Sequence, residues 1–97
     1  MARRRGGHDL DWVMVIEPTG ECIDGATVQV VSGQRVGAAV VQDAQCDAWS
    51  YGGGVLFEGL TPDVEMTIRA AAPNGRVEEK TVIPALGSYS VTLFKPR

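Results

Sequence analysis

Apolar and polar positions alternate along most of this chain with a period of two. That is the spacing of a strand with one face on a core and the other in water. Trp12, Met14 and Ile16 interleave with Val13, Val15 and Glu17. Both sets are largely apolar, which predicts cover on both sides of this first strand. Pro18-Thr19-Gly20-Glu21 then reads as a turn, because proline presets φ and glycine supplies a positive one. Ala26, Val28 and Val30 alternate with Thr27 and Gln29, a half-buried strand broken by Ser32-Gly33-Gln34. Val36 to Gln42 is a further strand-like run, weakened by Gly37 and two alanines.

The same reading continues to the end. Residues 46–51 permit a strand, and Gly52-Gly53-Gly54 forces a turn or bulge. Val55 to Leu60 is a strand ending at a Thr61-Pro62-Asp63 turn. Val64, Met66, Ile68 and Ala70 alternate with Glu65, Thr67 and Arg69, the cleanest half-buried pattern present. Pro73-Asn74-Gly75 predicts a type I′ hairpin turn leading into Val77–Ile83. Tyr89, Val91 and Leu93 alternate with Ser88, Ser90 and Thr92 in the closing strand. No stretch carries a convincing helical stripe. The expectation is an all-β fold, an antiparallel β-sandwich of seven or eight short strands, transthyretin-like or immunoglobulin-like. Residues 1–9 read as a flexible basic tail and 10–97 as one domain.

Composition narrows the class without naming a chemistry. Ninety-seven residues allow one domain. Apolar residues at 44% and charged residues at 22% fit a globular protein and exclude disorder, a membrane-spanning helix and a coiled coil. Twelve glycines and five prolines agree with many turns. The formal charge is −3, but Arg3, Arg4 and Arg5 supply three of nine basic residues; without them six face 12 acidic ones. An acidic body repels nucleic acid, so only the arginine tip offers a phosphate contact. No apolar stretch follows the arginines, so no export signal is visible. The expected location is cytoplasmic or on an assembled particle, unless a signal or parent chain was removed.

Thr19-Gly20-Glu21-Cys22-Ile23-Asp24-Gly25-Ala26-Thr27-Val28 resembles the opening of a carboxypeptidase regulatory-like, or transthyretin-like, domain. Gly54-Val55-Leu56-Phe57-Glu58-Gly59-Leu60-Thr61-Pro62-Asp63, with the strand Val64–Ala70 and the turn at Pro73-Asn74-Gly75, resembles that family's second hallmark. Met66 stands where the family often has a tyrosine. The resemblance spans Leu10 to Phe94 and implies a non-catalytic accessory module of a larger protein or of a cell or particle surface. The fold's hydroxyisourate hydrolases and the related intradiol dioxygenases depend on histidines that this body lacks.

Residue chemistry points the same way. His8, the single histidine, lies in a glycine-flanked tail and cannot be held as a catalytic base. Two cysteines and that histidine are too few and too badly spaced for zinc, so no metal or other cofactor is expected. Cys22 and Cys46 either form a disulfide, worth about 3 kcal/mol, or remain buried thiols. Asp43 and Asp47 read as solvated loop acids. Glu78 and Glu79, adjacent on a strand, point to opposite faces and cannot share a substrate. Trp49 and Tyr51 lie two apart, ahead of Gly52, Gly53 and Gly54, which let a ligand or another backbone approach closely. These five are the candidate binding residues, with covering of the core's open end as the structural alternative for the aromatics. The sequence thus predicts a non-enzymatic module for protein–protein contact or assembly, as on a virion. A carbohydrate-binding module built on the aromatic pair is the alternative, and no membrane partner is expected.

Overall fold

A computed structural model of the chain describes residues 10–42, 54–87 and 89–97, with the main chain only at Tyr89. These residues form seven strands: β1 (Leu10–Val15), β2 (Thr27–Gly33), β3 (Ala39–Val41), β4 (Val55–Phe57), β5 (Met66–Ala71), β6 (Val77–Val82) and β7 (Tyr89–Phe94). No helix occurs among the described residues. The strands form a three-stranded sheet, β4-β1-β7, and a four-stranded sheet, β3-β2-β5-β6. Together they make a β-sandwich.

Inward positions of both layers fill one core. Val13 and Val15 of β1, Val55 and Phe57 of β4, and Phe94 of β7 meet Val28, Val30, Met66, Ile68 and Ala70 of the larger sheet. The alternation at 28–30 and 66–70 is therefore burial read directly from sequence. In β1 the parity of Val13 and Val15 is buried, and the other parity is buried at Met14, and at Ile16 just past the strand, but half-buried at Leu10 and Trp12.

The architecture departs from the sequence pattern at four points. First, β1 and β7 run parallel, Leu10 opposite Tyr89 through Val15 opposite Phe94, whereas all the other pairings are antiparallel. Alternation fixes which residues share a face but not which strand lies alongside. Second, the turn after β5 is not type I′. Gly75 has φ of +94° while Asn74 does not reach positive φ, and Gly75 N–H donates to Ala72 C=O at 2.9 Å. Proline fixes Pro73 at negative φ, which a type I′ turn cannot accept, so the αL residue comes later in the loop. Third, β5 begins at Met66, and Val64 is left exposed beside Asp63, which has φ of +64°. Fourth, the run from Val36 is shortened to Ala39–Val41, because Arg35 at φ +63° and Gly37 at +94° turn the β2–β3 hairpin.

Gly33 sits just after a register shift in β2, where a side-chain carbon would overlap the Glu65 carbonyl of β5's approach. Only glycine fits there, at φ of +85°.

Candidate functional site

Four of the five predicted binding residues, Trp49, Tyr51, Gly52 and Gly53, lie outside the described residues. So do Arg3, Arg4, Arg5, His8, Asp43, Cys46 and Asp47. Cys22 is disulfide-bonded and adjoins β1 through a bridge with Ile16. Gly54 is described, and its surroundings give it a packing role. A β-carbon there would lie 2.8 Å from the Val13 carbonyl oxygen and 3.0 Å from Met14 Cγ, at φ of +79°. The glycine lets the start of β4 close onto β1.

A carboxylate that the pattern did not single out lies inside the sandwich. Asp11 has no exposed surface. Thr92 Oγ1 donates to its carboxylate, lying 2.8 and 3.0 Å from the two oxygens, and Ser90 Oγ is 3.1 Å away. This explains why β7 turns its polar parity inward: Ser90 and Thr92 share Asp11's face, while Val91 is left exposed. Burial pushes the Asp11 carboxyl above its usual range, against the opposing pull of the Thr92 and Ser90 hydroxyls. With no solvent access it serves as a structural node. No group of three or more potential metal ligands occurs among the described residues.

A second buried polar group joins the layers. Pairing of β4 with β1 stops at Val13, so the main chain of Val15 lacks a strand on that side. The Gln42 side-chain amide takes the strand's place. Its Oε1 accepts from Val15 N–H at 2.8 Å, and its Nε2 donates to Val15 C=O at 2.7 Å and Ile23 C=O at 2.9 Å. Gln42 directly follows β3, and its own N–H donates to Ala26 C=O at 2.7 Å. The end of β3 is thereby fixed to the opposite sheet. Gln34 repeats the device at the other end of the hairpin, donating to Thr61 C=O at 2.9 Å and accepting from Thr61 N–H at 2.8 Å.

The sheet margins differ in how they meet solvent. β6 carries Glu78, Glu79 and Lys80. Glu79 pairs with Arg69 at 2.7 Å on the outer face, while Glu78 and Lys80 point toward β7. Charges of this kind keep an edge from pairing with other chains. In β4, Val55 and Phe57 are buried. By contrast β3 is uncharged, and all three of its residues are exposed. Val41 is 65% exposed and Val36, in the adjoining turn, 64%. Beyond β2, the outer side of β3 has no strand partner among the described residues.

Compared with known proteins, the chain matches no family model, no curated protein and no solved structure.

Proposed function

We propose that this protein is a non-catalytic module that makes protein–protein contacts, and that its contact surface is the outer edge of β3. The uncharged, exposed strand Ala39–Val41 carries this reading, because it differs from the charge-guarded edge at β6. An edge strand offers main-chain donors and acceptors for strand addition, and its side chains supply specificity. Gln42 and Gln34 hold the hairpin at both ends, so the edge is ordered before a partner arrives, which lowers the entropic cost of binding. The carboxypeptidase regulatory-like resemblance, with its accessory role, agrees with this reading.

Sedimentation velocity over a concentration series, together with co-purification from the native source, tests it. Val41→Lys places a charge on the exposed edge with an expected effect on stability within about 0.5 kcal/mol. The wild type should self-associate or retain a partner, and Val41→Lys should lose that contact while remaining folded. A wild-type protein that stays monomeric and retains no partner removes the proposal.

A further inference from the structure

The basic residues of the body are unevenly committed. Of the six in residues 10–97, Arg76 forms a two-pronged ion pair with Glu17 at 2.9 and 3.1 Å, and Arg69 pairs with Glu79. Arg35 donates to the Glu58 carbonyl. The remaining three, Lys80, Lys95 and Arg97, have no ion pair among the described residues, and all three line one groove. Its volume is about 300 Å³, and Glu78 and Leu93 complete the lining. In a body with eleven acidic and six basic residues, this concentrates positive charge at one place.

The groove runs along the free edge of β7, and the way that edge is satisfied suggests the ligand. Phe94 C=O accepts from Ile16 N–H, so that parity faces β1. The alternate parity, Leu93 and Lys95, faces the groove. No strand pairs there among the described residues. Instead Lys80 Nζ donates to Leu93 C=O at 2.5 Å, and Glu78 Oε1 accepts from Lys95 N–H at 2.7 Å. Lys80 also lies 5.3 Å from the centre of the Phe94 ring. An ammonium and a carboxylate thus occupy the donor and acceptor places that an added strand would fill.

We infer that the β6–β7 groove binds an extended acidic peptide segment along the free edge of β7. On binding, the segment's main chain takes over Leu93 C=O and Lys95 N–H. Its carboxylates pair with Lys80, Lys95 and Arg97. A compact anion uses only the cations and leaves Glu78 as a repelling neighbour, whereas a peptide uses the edge as well. This site is separate from the β3 edge and stands or falls independently of it.

The test is a nitrogen-15 chemical-shift titration of the full chain with a capped hexapeptide of alternating glutamate and valine. The matching lysine–valine peptide, inorganic phosphate and oligothymidylate serve as comparison probes. Saturable shifts are expected at residues 78–82 and 91–95 with the acidic peptide alone, weakening as salt is raised. Lys95→Glu with Arg97→Glu, both at the exposed end of the groove, should weaken binding by about tenfold or more while the spectrum stays dispersed. Four results would each overturn the inference: no saturable shift, shifts confined to other residues, an equal response to the lysine peptide, or phosphate or oligothymidylate matching the acidic peptide at the same residues.

Discussion

Replacing Gln42 by alanine removes three hydrogen bonds whose partners are all buried main-chain groups at the junction of the two sheets. Each such bond contributes about 1 kcal/mol net, and a buried group left without a partner costs about 1–3 kcal/mol. Ile23 N–H also donates to Val15 C=O, at 3.0 Å, so that oxygen keeps one partner. Val15 N–H loses its amide acceptor, Ile23 C=O keeps the longer bond from Ala26 N–H at 3.4 Å, and the side chain leaves a void. The expected loss is about 3–5 kcal/mol, a large fraction of the roughly 5–15 kcal/mol typical of a whole domain. In a thermal melt that is a fall of roughly 15–30 °C. Gln42→Glu sharpens the reasoning, because it keeps the shape but turns an oxygen toward the Val15 and Ile23 carbonyls. It should be less stable than Gln42→Ala at neutral pH and recover in acid, where a protonated carboxyl can donate to one of them. Gln34→Ala is the comparison: the same amide pattern at a solvent-accessible site should cost only about 1 kcal/mol, because water can replace it. A Gln42→Ala loss no larger than that of Gln34→Ala, or a Gln42→Glu variant with no pH dependence, would refute the strand-surrogate role.

Other consequences concern charge and glycine. Because burial raises the Asp11 pKa above its unfolded value, the protonated form is favoured on folding. Wild-type stability should therefore fall as pH rises from the ordinary carboxylate value through the raised one; urea melts of Asp11→Asn should lack that fall. Glu17 behaves in the opposite sense. The Arg76 guanidinium lowers its pKa, so its contribution is present above the ordinary carboxylate value and is lost as pH drops through the lowered one. Glu17→Gln should flatten that acid limb, and added salt should weaken the wild-type contribution. Gly33→Ala should cost more than about 2 kcal/mol in chemical denaturation, since it combines a positive φ with overlap of the Glu65 carbonyl. A melt unchanged from wild type would contradict that close approach.

Much of the sandwich is legible in the sequence because burial itself is periodic. Val28 and Val30 in one strand, and Met66, Ile68 and Ala70 in another, alternate with polar residues and line the core. The two apolar parities of β1 likewise announce a strand whose second half is covered on both faces. Partnership was not legible, because no local pattern distinguishes a parallel neighbour from an antiparallel one. Nor was the inward polar parity of β7, which depends on Asp11, 79 and 81 positions away from Ser90 and Thr92. Gln42 reads as a polar residue ending a weak strand; its value lies in reaching Val15, 27 positions earlier. The basic groove is assembled from β6 and the end of β7, with Lys80 and Leu93 13 positions apart. The aromatic pair Trp49 and Tyr51 lies outside the described residues, so the glycan alternative gains no structural support.

Photo-cross-linking tests the β3 contact most directly. With a benzophenone side chain in place of Val41, on the exposed edge, irradiation in an extract of the native source should yield a discrete protein adduct. The same group in place of Glu21, exposed in the turn between β1 and β2 and outside both proposed sites, should yield none. Adducts of equal yield from both positions, or none from position 41, would contradict the assignment of β3 as the contact surface.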